Sequence, residues 1–137
     1  MNKAELRSYL KKLLRTVCDN VEDTFIFPED KASIQNAFPY ITIIFGDMDF
    51  PEGAHRMIQK ISIIGFVRGT ETDLINKQDD LENKIFKVIY KNELFQCSIN
   101  TGSNTNLFKP FGLDAGLFPP YAGVRFELDV PQVKMIL

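Results

Sequence analysis

The sequence predicts a single two-layer α+β domain. Three observations carry this. Two stretches repeat apolar residues at helical spacing, four stretches read as strands by alternation or β-rich composition, and the elements follow the order α-β-β-α-β-β. Two amphipathic helices can cover one face of a four-stranded, mostly antiparallel sheet. The 137 residues fit one domain over 1–137, with no repeat or low-complexity linker to divide them.

The first helix is expected over residues 3–20. Leu6, Leu10, Leu13, Leu14, Val17 and Val21 fall on one face, and Lys3, Arg7, Lys11, Lys12 and Arg15 occupy the other. That basic face reads as the solvated side of a helix packed on a sheet. An acidic stretch follows, Asp19, Glu22, Asp23, Glu29 and Asp30, interrupted by Phe25-Ile26-Phe27-Pro28. It reads as a connection to the sheet.

Pro39 to Asp47 is the first strand, with Ile41, Ile43 and Phe45 on one face and Tyr40, Thr42 and Ile44 on the other. A polar turn over Gly46–Gly53 leads to a long strand, Met57 to Arg68. There Ile61, Ile63 and Val67 oppose Lys60, Ser62, Ile64, Phe66 and Arg68. The short connection makes the pair an antiparallel hairpin. The second helix is expected over 71–91, its buried stripe formed by Leu74, Leu81, Ile85 and Ile89 and widened by Val88 and Phe86. Thr70 and Asp73 have the spacing of a capping box at its start. Phe95 to Thr101 reads as a third strand. Tyr121 to Val130 reads as the last, alternating Val124, Phe126, Leu128 and Val130 with Arg125, Glu127 and Asp129, and ending at Pro131.

Composition excludes several functional classes. A net charge of −2 gives no electrostatic reason to expect nucleic acid as the main partner. No run of 18 apolar residues is present, and Lys11 and Lys12 break the only stretch that could imitate a signal peptide, so a cytoplasmic protein is expected. Cys18 and Cys97 form no CxxC pair and read as buried thiols of a reducing compartment. Glycine-rich phosphate loops, nucleophile elbows and HExxH helices are missing.

The remaining candidates for chemistry are few. Asp47 and Asp49 form a DxD pair with His55 nearby, the arrangement a small metal-dependent enzyme would use. A turn histidine and two turn carboxylates are also ordinary surface residues, and no enzyme activity and no cofactor are expected. Lys60, Phe66 and Arg68 share a strand face, a weak form of the basic-aromatic pattern that stacks on bases.

Two features point instead to association. Ile64 and Phe66 lie on a sheet face for which the sequence supplies no covering helix. The long segment 102–120 carries Phe108, Phe111, Leu113, Leu117 and Phe118 among glycines and prolines; loops of this length are usually functional or disordered, and this one reads equally as a loop folded over its own core or as one packed against a neighbouring subunit. Subunit contacts are therefore expected at Ile64, Phe66, Phe108, Phe111, Leu117 and Phe118.

The opening helix, the strand Phe38–Gly46, the strand Ile61–Gly69, the helix Thr72–Tyr90 and the closing strand Tyr121–Pro131 together resemble the tail terminator (minor tail, tail completion) proteins of long-tailed bacteriophages and prophages, of the lambda type. The resemblance covers most of the chain and lies in element order, length and texture. It implies a ring of identical subunits, typically six, seated on the finished tail tube. The ring would stop tube polymerisation and offer the surface that joins the head. Its partners would be the tail tube protein and a head-completion protein, with no small-molecule substrate, no membrane and no specific nucleic acid. The protein would be made in the host cytoplasm and carried in the virion tail. A head–tail neck or completion protein and a cytoplasmic adaptor module unrelated to phage are the alternatives.

Overall fold

Asn2 starts the first helix by a reciprocal cap. Its side chain accepts from the Glu5 amide at 2.8 Å, and the Glu5 carboxylate accepts from the Asn2 amide at 3.4 Å. The computed structural model describes residues 2–49, 57–92, 99–102 and 120–133. Helix α1 (Lys3–Leu14) buries Leu6, Leu10 and Leu14 completely. It is shorter than the 3–20 expected. After Leu14 the backbone tightens into three-residue turns, Thr16 N–H to Leu13 O and Val17 N–H to Leu14 O, and the Thr16 hydroxyl also donates to Leu13 O at 2.6 Å. Val21, placed on the helix by its spacing, is instead the buried centre of a short strand, β1 (Asn20–Glu22).

Residues 23–39 then cross to the far side of the sheet through a single turn of helix, α2 (Pro28–Lys31), with proline at its first position. Asn36 takes a left-handed backbone, φ 57°, and the Phe38–Pro39 peptide is cis. Strands β2 (Tyr40–Asp49) and β3 (Met57–Arg68) form the expected antiparallel hairpin, with a bulge between Phe45 and Met48. Helix α3 (Leu74–Tyr90) begins later than expected. Asp73 supplies half of the capping box, accepting from the Thr70 amide at 2.5 Å, and residues 71–73 are turn. Strand β4 (Ile99–Gly102) carries the third predicted strand; the part of that prediction over 95–98 lies outside the described residues. Strand β5 (Tyr121–Val133) runs past Pro131, which sits opposite Ile58 beside a register irregularity. A bulge is one of the few places where a strand tolerates a residue without N–H.

The sheet has five strands, not four, in the order β1-β2-β3-β5-β4. The strand that sequence reading missed, β1, pairs parallel to β2; the other three pairings are antiparallel. The α+β two-layer class stands. Both long helices pack on one face, where Leu6, Leu10, Leu14, Leu81, Ile85 and Ile89 meet Ile41, Ile43, Ile61, Ile63, Val124, Phe126 and Leu128. Gly65 lets α3 approach closely: a β-carbon there would lie 2.7 Å from a Leu81 methyl and 3.1 Å from an Ile85 methyl.

Candidate functional site

The second sheet face is where the sequence reading and the structure part. Tyr40, Ile64 and Phe66 form a separate core, and Phe25, Ile26, Phe38 and Ile44 pack against it. Phe66 stacks on Tyr40 at 4.9 Å between ring centroids and meets Phe25 edge-on at 5.8 Å. Ile64 and Phe66 are 0% exposed. The expectation that they form a subunit contact is therefore overturned: residues 23–39 of the same chain cover them.

Polar ties hold that cover in place. The Tyr40 hydroxyl donates to Ile26 O at 2.7 Å. Lys31, only 8% exposed, pairs with Glu22 at 2.7 Å and lies 5.4 Å from the centre of the Tyr40 ring. Asn20 donates to Asn36 O and Ala37 O, and Arg68 to Ala32 O. Burial, then the Glu29 and Asp30 carboxylates, push the Tyr40 phenol well above its ordinary pKa, so it remains a donor. Only the aromatic run Phe25-Ile26-Phe27 hinted at this arrangement, being too apolar for a solvated connection.

The other sequence candidates also find their places. Asp49 is paired with Lys60 at 3.3 Å, and that contact raises the lysine pKa. His55 lies outside the described residues, and among the described residues no group of three potential ligands could hold a metal ion. Lys60, Phe66 and Arg68 make no stacking platform, because Phe66 is buried and Arg68 lies 5.9 Å from the Tyr121 ring centre. Phe108, Phe111, Leu117 and Phe118 lie outside the described residues. Burial raises the Cys18 thiol to about 11, and it donates to Asn20 O at 3.6 Å. It reads as a structural thiol rather than a nucleophile. Cys97 is also outside the described residues.

A cleft of about 230 Å³ opens where the turn after α1, the start of α3 and the Phe38–Pro39 turn converge. Val17, Phe38, Pro39, Val67 and Leu81 make its apolar wall, and Arg68, Lys77, Asp80 and Lys84 its rim. Each of the rim cations is engaged. Lys84 pairs with Asp80 at 2.8 Å; Lys77 pairs with Asp73 and donates to Arg68 O. Hydrogen bonds from Thr70, with Lys77 beside it, hold the Asp73 carboxyl below its usual range. The Lys84–Asp80 pair lies within α3, and of the rim cations it is Lys77 that ties α3 to β3, through Arg68 O.

Beyond the covered aromatic half, the outer sheet face is polar. Ser62 donates to Glu127 at 3.0 Å, and Arg125 pairs with the same carboxylate. On the helix side Phe86, expected to widen the buried stripe, instead faces outward: it stacks on Tyr90 at 5.4 Å, and the two stand 38% and 67% exposed. No helix among the described residues is long and apolar enough to cross a membrane. No protein-family model matches the chain, and no curated protein is significantly similar to it in sequence.

Proposed function

We propose that this chain is a structural subunit of a phage tail, a terminator that assembles as a ring on the tail tube, ends its growth and presents the surface that meets the head. It performs no catalytic step and uses no cofactor. Its partners are further copies of itself, the tube protein and a head-completion protein. It is made in the host cytoplasm and leaves in the virion.

One observation supports this reading above the others. The central strands β3 and β5 run 12 and 13 residues and pair along that length, a plate on the order of 40 Å long. Connections leave it from opposite ends: residues 50–56 follow Asp49 and precede Met57 at one end, and residues 103–119 precede Pro120 and Tyr121 at the other. A rigid plate with chain at both ends suits a subunit held between a tube below and a head above. Packing on both faces of the sheet supplies the stiffness.

The test is deletion of the coding gene in the phage or prophage that carries it, with tail length read by electron microscopy. Over-long, headless tubes are expected, corrected by supplying the protein in trans. Tails of normal length joined to heads would overturn the proposal. Within that assay, Phe111→Asp and Phe118→Asp ask whether the 102–120 segment contributes a contact; folded variants that still cap tails would remove it from the interface.

A further inference from the structure

Two exposed patches of opposite charge lie on opposite faces of the sheet. The first is the outward side of α3 at its C-terminal end. Phe86 and Tyr90 stack there, one turn apart, with Lys87 and Lys91 alongside. All four residues are exposed, and neither lysine has an ion-pair partner among the described residues. Large apolar side chains standing in water beside unmatched cations are a docking surface in search of an acidic and apolar occupant.

The second patch has that chemistry. Glu29 and Asp30 are exposed on α2 without an ion-pair partner among the described residues, and Phe27 and Ile34 flank them at 38% and 54% exposure. This segment rides on the sheet face opposite the helices, since its neighbours Phe25 and Ile26 pack on Tyr40, Ile64 and Phe66. The sheet therefore stands between the two patches, and they cannot meet within one chain. They can meet between chains.

We infer that copies of this chain bind head to tail, the Phe86–Lys87–Tyr90–Lys91 surface of one copy seating against the Phe27–Glu29–Asp30–Ile34 surface of the next. Such a contact joins unlike patches, so it repeats from copy to copy and closes into a ring when the rotation per step permits. The inference deepens the proposed function by naming the contact between subunits. It rests on that reading for its cyclic form alone.

Sedimentation velocity at about 30 mM and about 500 mM NaCl tests it, over protein concentrations from about 5 to about 500 µM, with circular dichroism checking that each variant is folded. The wild-type chain is expected to self-associate at low salt and to weaken on the order of tenfold at high salt. Lys87→Glu with Lys91→Glu, or Glu29→Lys with Asp30→Lys, should each weaken association by about tenfold or more. An equimolar mixture of the two variants, and the chain carrying all four changes, should both regain it, because each restores opposite charges across every contact. A wild-type chain that stays monomeric throughout at low salt overturns the inference. So does a fourfold variant no better than either pair, or a pair that changes nothing. Restored association in a protein whose gene deletion leaves tails normal would sink the tail reading and leave this contact standing.

Discussion

Phe66→Ala should destabilise the isolated chain, not its contacts with other copies. The ring is 0% exposed, stacked on Tyr40 and edge-on to Phe25. Truncating a fully buried phenylalanine costs about 3–5 kcal/mol, from lost transfer energy and the cavity left behind. Two aromatic contacts on one ring place this site toward the upper part of that range. With a urea dependence of about 2 kcal/mol per molar, a loss of about 4 kcal/mol lowers the unfolding midpoint by about 2 M. Far-UV circular dichroism is a suitable probe, since the chain has no tryptophan. The midpoint should not depend on protein concentration. Phe86→Ala, which removes a partly exposed ring, should lower it by less than about 0.5 M. A Phe66→Ala midpoint within about 0.3 M of wild type would refute the argument that residues 23–39 bury this face.

Three further predictions follow from other contacts. Tyr40→Phe removes the hydroxyl that donates to Ile26 O, and should cost about 1–2 kcal/mol in the same urea assay. In a Cys97→Ser background, Cys18 should react with iodoacetamide at pH 8 at least about tenfold more slowly when folded than in urea, because its pKa is raised to about 11. Above the unfolded thiol pKa the unfolded chain ionises first, so this group's contribution to stability is full below about pH 9 and is lost as pH rises toward about 11. Equal alkylation rates would contradict the burial of this thiol. Asp47→Ala with Asp49→Ala should leave calorimetric titration with Mn²⁺ unchanged, both proteins showing no stoichiometric heat, since Asp49 is already paired with Lys60; stoichiometric binding lost in the variant would revive a metal site.

The long elements were legible in the sequence because each has a face with a clear period. Leu6, Leu10 and Leu14 mark one helix, Leu81, Ile85 and Ile89 the other, and Val124, Phe126, Leu128 and Val130 the inner side of the last strand. The end of α1 was not legible, because it depends on the three-residue turns after Leu14; the Asp73 contact at Thr70 did show in the capping-box spacing, but residues 71–73 form a turn before the helix begins. Strand β1 was invisible for a different reason. Three residues carry no period, and Asn20–Glu22 is a strand only because Tyr40–Thr42 lies beside it. The same cause misplaced the candidate contact. Counting helices as the only cover for a sheet left Ile64 and Phe66 bare, whereas an irregular segment with three aromatic rings covers them.

The strand order β1-β2-β3-β5-β4 also bears on synthesis. Strand β5 lies between β3 and β4, although it follows both in the chain. Until it emerges from the ribosome, β3 has one bare edge, β4 lacks its partner in the finished sheet, and α3 has only part of the surface that receives Leu81 and Ile85. At about 5–20 residues per second, the wait from the end of α3 to the end of β5 lasts a few seconds. A nascent chain stalled within that interval carries an apolar helix stripe and open strand edges, which are what holdase chaperones recognise. The native sheet is therefore completed only once Tyr121–Val133 has emerged, and premature stops before Tyr121 should yield aggregates rather than a smaller folded domain.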